Sequence, residues 1–349
     1  MNTNIELYNK ISSLHGPSGD ERKIKAFMKE NLSNANEILE DRMGGVFGVY
    51  KGSKEGPKIM ICAHMDEVGA LVTDITPNGF LKIISIGGVN PESLVSQNVY
   101  VEAKDGKLIK GVVSSIPPHI SSNNKFSIED LLIDLGVDSI DEVKEMGIEI
   151  GSFVTPVDYF YVTENGKRIV NKAFDDRIGC ALVLELAKEI ENIDHPNTVI
   201  LGGTVQEEVG LRGARVATPM VEPDLFLTID VSPMMDYLGK PNEGKLGGGF
   251  LVRYYDPGCI MPLKLKEYIL KLSEENEIKH QLFRSRGGTD AGAAQYVGIG
   301  TLSTTLGVPG RYIHSPATMI DLEDLKAVKE IAKKIIETFD SEKLKEILN

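Results

Sequence analysis

Apolar positions change their period along the chain, and the changes divide it into three textures. In about the first 35 residues, Ile24, Phe27, Met28 and Leu32 fall near helical spacing. Two short helices broken at Gly16-Pro17-Ser18-Gly19 are predicted there, the second opening at Asp20. A glycine-punctuated hairpin over 44–52 follows, and then Ile59-Met60-Ile61-Cys62-Ala63, a continuous apolar run suited to a strand buried on both faces.

Residues 68–165 have a different texture. Short β-type runs at 68–75, 80–86, 99–103, 108–113 and 153–162 are separated by turn signals such as Asn78-Gly79 and Asp105-Gly106, with a helical stretch at 127–146. Past residue 170, helix (176–190), strands (198–205 and 225–230), helix (263–274) and strand (301–306) succeed one another. In the terminal helix Leu322, Leu325, Val328, Ile331, Ile335 and Phe339 form an amphipathic stripe. The alternation predicts an α/β protein with a sheet buried between helices, and the β-rich stretch predicts a small module inserted into it.

Composition narrows the function classes. With 349 residues, about two domains are expected. The formal net charge of −13 argues against a nucleic-acid or anionic-membrane partner, both of which call for a basic footprint. Cys62, Cys180 and Cys259 are an odd number without CxxC spacing, which suits buried thiols in a reducing compartment. The first residues carry no basic and apolar leader pattern, and no apolar run is long enough to span a bilayer, so a cytoplasmic protein is expected.

Three of the buried runs end in metal-ligand residue types. The run 59–63 delivers His64 and Asp66, the run 199–205 delivers Glu207 and Glu208, and the run 225–229 delivers Asp230. Asp175-Asp176 at a helix start and His314 past the 301–306 strand extend the set. In open α/β sheets ligands collect at the carboxyl ends of strands, so these side chains are candidates for one crevice. Carboxylates gathered there repel one another, and one or two divalent cations would neutralise them. Histidine with carboxylate ligation suits Zn²⁺, Co²⁺ or Mn²⁺, and a two-metal site with one bridging carboxylate fits the count. Taken singly, each Asp also suits a helix cap or turn, each His an ordinary polar position, and Glu207-Glu208 a solvated pair. No P-loop, HExxH or GxSxG motif competes. Gly287 to Gly292 reads as a tight turn before a helix over 290–296, and His15, His195 and His280 lie in polar or turn contexts with no role assigned.

Five segments carry a family likeness: His64-Met65-Asp66-Glu67-Val68-Gly69, Ala173-Phe174-Asp175-Asp176-Arg177-Ile178-Gly179, Val205 to Ala214, Gly287 to Gly292, and Arg311-Tyr312-Ile313-His314-Ser315-Pro316. In this order they resemble the motifs of the co-catalytic metalloaminopeptidases that assemble as tetrahedral particles. Ile86-Gly87-Gly88, Ser115-Ile116-Pro117-Pro118-His119, Tyr255-Asp256-Pro257-Gly258 and Ser303-Thr304-Thr305 are similar to the bacterial glutamyl aminopeptidase branch.

The resemblance implies a mixed, mostly parallel central sheet flanked by helices. Residues 1–67 and 166–349 would form a discontinuous catalytic domain, and 68–165 an inserted β-barrel-like, PDZ-like dimerisation domain. It implies two divalent ions, Zn or Co with Mn as a further choice, bridged by Asp175. His64 and Asp230 would complete one, and Glu208 and His314 the other. Glu207 would be the general base, and Asp66 would orient His64. A non-proline cis peptide after the bridging Asp, here Asp175-Asp176, is expected as well. The implied activity is removal of the N-terminal residue of short peptides by a dinuclear metalloaminopeptidase. Arg286, just before the glycine loop, is the candidate for a preference for N-terminal Glu or Asp. The implied partners are further copies of the chain, dimers assembling to a tetrahedral dodecamer. A dinuclear hydrolase of another amide or of a glycan, and a non-enzymatic assembly protein, are the alternatives.

Overall fold

The computed structural model describes residues 4–117, 127–239 and 244–349. Pro118 and His119 of the branch-specific motif lie outside the described residues. Two helices, α1 (Ile5–Ser13) and α2 (Arg22–Asn31), precede an antiparallel strand pair, β1 (Glu37–Glu40) and β2 (Val46–Lys51). The turn between these strands is closed by Asp41, whose Oδ1 accepts the N–H groups of Met43, Gly44 and Gly45. The hairpin expected over 44–52 is therefore displaced towards the N-terminus. Gly48 does not turn the chain; it lies mid-strand, where a Cβ would come within 2.9 Å of the Ala35 methyl.

The buried run becomes β3 (Lys58–His64). The chain then leaves the sheet and closes a barrel of β4 (Gly69–Ile75), β5 (Leu81–Ile86), β6 (Asn98–Glu102), β7 (Leu108–Val113), β8 (Leu132–Asp134) and β9 (Phe153–Pro156), in the order β4-β5-β8-β7-β6-β9. Its own apolar core includes Val72, Ile83, Val101, Ile133 and Val154. Two short helices decorate it, α3 (Pro91–Leu94) and α4 (Ile140–Glu145). The helix expected over 127–146 is thus corrected to a 3-10 turn, a strand and a short helix. Barrel closure overrides local helical spacing: β8 buries Ile133 and bridges β5 to β7. The run 153–162 is likewise divided. It ends in the barrel at Pro156 and resumes as β10 (Tyr161–Val162), paired with β11 (Arg168–Asn171) in the large sheet.

The rest of the chain returns to that sheet. It contributes α5 (Phe174–Glu189), β12 (Thr198–Thr204), α6 (Arg212–Val221), β13 (Leu225–Pro233), β14 (Phe250–Tyr255) and α7 (Leu263–Glu275). Then come β15 (His280–Arg284), α8 (Asp290–Gln295), β16 (Leu302–Arg311), β17 (Thr318–Asp321), α9 (Leu322–Thr338) and α10 (Ser341–Leu348). The strand order is β1-β2-β12-β3-β13-β16-β17-β11-β10, with β14 pairing β15 and β16. Neighbours from β12 to β16 run parallel, and antiparallel pairs flank them. The predicted stripe of α9 is buried at Leu325, Val328, Ile331 and Ile335. Each such side chain contributes about 1.5–3 kcal/mol by leaving water. Cys62, Cys180 and Cys259 are buried and free. No helix among the described residues is long and apolar enough to cross a membrane.

β3 fixes where chemistry can occur. Its two neighbours, β12 and β13, are consecutive strands of the large sheet that lie on opposite sides of it, so the connection between them crosses over β3. A crevice opens at the carboxyl ends of parallel strands at such a reversal. His64 is the last residue of β3.

Candidate active site

The crevice brings together all of the expected ligand residues except one whose contacts are electrostatic alone. The Asp175 carboxylate lies between two imidazoles: Oδ1 is 3.3 Å from His64 Nε2, and Oδ2 is 3.4 Å from His314 Nε2. His314 Nε2 is also 3.3 Å from Glu208 Oε1, and its Nδ1 is 3.0 Å from the carbonyl oxygen of Gly88, which lies just past β5 of the barrel. Asp230, buried on β13, feels the charges of Asp175 and His64. Glu207 Oε2 stands 4.0 Å from His64 Nε2.

Asp66 ties the parts together. Fully buried, it accepts the backbone N–H groups of Glu207 (3.0 Å) and Glu208 (3.2 Å) and the hydroxyl of Ser18 (2.6 Å). Its carbonyl oxygen is 3.0 Å from His64 Nδ1. One residue thereby sets the backbone of the acidic pair and the tilt of the imidazole. The chain reaches these positions through left-handed backbone at Ala173 (φ 54°), Gln206 (φ 54°) and His314 (φ 57°), none of them glycine. Such conformations cost about 1–3 kcal/mol each and cluster at functional sites. The Asp175-Asp176 peptide is cis, as the resemblance implied. Asp176 accepts the backbone N–H groups of His64 and Gly179.

The electrostatics follow from burial. Desolvation pushes the carboxyls of Asp230, Glu207 and Asp176 well above the usual range, and their negative neighbours push them further. Glu208 is raised by burial and by Asp175, against its hydrogen bond to His314. Asp175 is held low despite its burial, because both imidazoles hydrogen-bond to it. Burial also works against charge on His64, yet Asp175, Asp66 and Glu207 raise its pKa well above normal. A crevice lined by this many mutually repelling acids is a poor protein interior and a good cation site. His64, Asp175 and Glu208 each offer a ligand atom within 4.8 Å of the others. The nitrogen and oxygen donors present fit ions of the zinc, cobalt and manganese class.

Several supporting residues had no role assigned from the sequence, although Glu67, Arg177, Asp256 and Asp290 lie within the quoted motifs. Lys172 Nζ lies 2.8 and 2.9 Å from the two oxygens of Glu67, and Arg177 Nη2 lies 3.3 Å from Glu67 Oε1. Arg177 also donates to the carbonyl oxygens of Met65, Ile11, Leu14 and Gly16. Glu67 follows Asp66, and Arg177 follows Asp176, so this buried network braces both halves of the crevice. Lys172→Ala is expected to destabilise the protein by about 3 to 5 kcal/mol, because it strands a buried carboxylate. Urea unfolding measures this, and a loss below about 1 kcal/mol would show that Arg177 suffices for Glu67. Asp290 is buried nearby and bonded by the Thr204 hydroxyl; burial pushes its carboxyl up to about 6. Arg253 is buried and paired with Asp256 at 3.1 Å, and its charge offsets part of the rise that burial and Asp175 impose on Asp230. Arg286 is exposed and lies outside the cluster.

Comparison with known proteins finds relatives along nearly the whole chain. The M42 glutamyl aminopeptidase family pattern matches residues 44–331. The glutamyl aminopeptidase of Lactococcus lactis subsp. cremoris is 37% identical over 356 residues, covering 99% of this chain and 100% of that protein. The crystal structure of a TET aminopeptidase from the marine sediment archaeon Thaumarchaeota archaeon SCGC AB-539-E09 is similar with a TM-score of 0.94 and 35% identity, over 98% of each chain. The TET1 peptidase of Pyrococcus horikoshii, which can assemble into a tetrahedron or a large octahedral shell, has a TM-score of 0.87 and 30% identity, over 96% of this chain and 100% of that one.

Proposed function

The chain belongs to the M42 glutamyl aminopeptidase family, and we propose that it removes the N-terminal residue of short peptides with a pair of divalent cations and Glu207 as general base. It is a peptide hydrolase, and the family is metal-dependent. In our assignment Asp175 would be shared by the two cations, His64 and Asp230 would hold one, and Glu208 and His314 would hold the other. The observation that supports this most is the Asp175 carboxylate, which turns one oxygen to each imidazole. When bound, the cations supply Lewis acidity, which acidifies the attacking water and polarises the scissile carbonyl.

The remaining steps are assigned to the chain's own groups. Glu207 stands beside the cluster instead of between two imidazoles, so its carboxylate takes the proton of the attacking water and passes it to the leaving amine. Asp66 holds the Glu207 backbone and the His64 ring in position for this. A carboxylate of the cluster accepts the free α-ammonium of the substrate. The expected result is hydrolysis of aminoacyl-p-nitroanilides that disappears on chelation and returns with Co²⁺ or Zn²⁺; activity indifferent to chelation would reject the assignment.

An acidic first side chain calls for a cation in its pocket, and Arg286 is our candidate. Arg286→Ala is expected to lower kcat/KM for N-terminal Glu and Asp by about tenfold, the value of one charge-assisted hydrogen bond, with Leu substrates unaffected. Equal losses on both would remove Arg286 from the pocket. We further propose that residues 68–165 form the dimerisation domain and that dimers assemble to a tetrahedral dodecamer; the Pyrococcus horikoshii relative, which can assemble into a tetrahedron, supports this.

A further inference from the structure

A second group of ligand-type side chains lies where the loop between α1 and α2 meets the barrel. His15 and Asp20 come from that loop and Glu102 from the end of β6, and each offers an atom within 4.8 Å of the others. All three are buried, His15 to 2% exposure. Its Nδ1 is engaged by the hydroxyl of Thr155 on β9, at 2.8 Å. Its Nε2 points at Glu102 Oε2 from 3.4 Å, yet it has no hydrogen-bond partner.

This is an unsatisfied arrangement. Burial holds the His15 pKa down to about 4, so at neutral pH the ring is uncharged, the form in which imidazole ligates metals. In the tautomer whose Nδ1–H donates to Thr155, a nitrogen lone pair faces the Glu102 oxygen; in the other, Nε2–H faces that oxygen across 3.4 Å without a hydrogen bond. A cation between Nε2 and that oxygen would give both a partner. Glu102 is under further strain, its carboxyl raised by burial and by the adjoining Asp20.

Two basic residues pair with the group, Lys23 with Glu102 and Arg22 with Asp20 and, at 4.0 Å, with Glu102. Lys23 Nζ is 3.0 Å from Glu102 Oε1, the oxygen other than the one facing His15. Arg22 pairs with Asp20, but its side chain is 79% exposed. Arg22 engages both Asp20 oxygens, and a cation would take Asp20 by displacing this guanidinium into the solvent that already reaches most of its side chain.

We propose that His15, Asp20 and Glu102 bind one divalent cation of the zinc, cobalt and manganese class, a site separate from the crevice and independent of the peptidase assignment. One imidazole nitrogen and two carboxylates are a donor set suited to that class. The ion would clamp the loop to the barrel. The same loop supplies the Ser18 hydroxyl to Asp66 and, through Glu21, an acceptor for the N–H of Gln206 (3.1 Å). Occupancy would therefore stiffen the segment that braces the acidic pair.

Two measurements decide the matter. Crystals of the full chain soaked in Zn²⁺ should show anomalous scattering at the zinc edge between His15, Asp20 and Glu102, whatever they show in the crevice. After Zn²⁺ loading and gel filtration, His15→Gln and Glu102→Gln should each carry one equivalent fewer than the wild type. The absence of a peak among the three residues, or equal metal content in the wild type and a folded variant, would overturn the proposal. Should one variant fail to fold, the other variant and the wild-type crystal give the answer.

Discussion

Glu207→Gln should retain the metal content of the wild type while kcat falls by about 10²- to 10⁴-fold, the usual contribution of a general base. The substitution preserves volume and leaves the Glu207 N–H on Asp66, so the backbone that positions Glu208 is not disturbed. It removes only the ability to accept a proton. Turnover of an aminoacyl-p-nitroanilide, read together with metal analysis of the same sample, separates chemistry from binding. Activity above about 1% of wild type would remove Glu207 from the base role, since that exceeds what is left when such a group is lost.

Asp175→Asn should act the other way, through the metal. An amide can turn one oxygen to one imidazole but has no second anionic oxygen for the other, so the two halves of the cluster lose their shared ligand. We expect at least one equivalent of metal to be lost. We also expect kcat/KM to fall by more than about 100-fold, beyond the 10- to 100-fold typical of removing a group that merely supports a ligand. Thermal melts supply an independent reading. Saturating Zn²⁺ at about 100 Kd should stabilise the wild type by about 2.7 kcal/mol per site, and the variant should lose at least one site's share. Full metal content together with undiminished stabilisation would contradict a bridging role.

The parts of the site visible in the sequence are those where local pattern and global position coincide. β3, β12 and β13 are parallel strands buried on both faces, so they read as unbroken apolar runs, and His64, Glu207, Glu208 and Asp230 stand at or near their carboxyl ends. Asp175 and His314 end no such run: a helix start and a place past the 301–306 strand added them to the set, and the family motifs gave them roles. What escaped was made by distant contacts. β8 is a strand because the barrel needs a bridge between β5 and β7, not because residues 132–134 prefer to be one. α6 starts after a left-handed Leu211 and contains Pro219, two features that break the usual helix signature. Lys172 looks like a surface residue until Glu67, 105 positions away, meets it in the interior. His15 looks equally ordinary until β6 and β9 of the barrel cover it.

The carbonyl of Gly88 on the His314 ring has a wider meaning for how this molecule can be altered. A segment that props an imidazole of the crevice is not a detachable adaptor. Excising the insert, or exchanging it for a relative's, would change the lean of that ring along with the subunit contacts we propose for the insert. A change made in the barrel to alter its surface would therefore be felt at the crevice through this one contact.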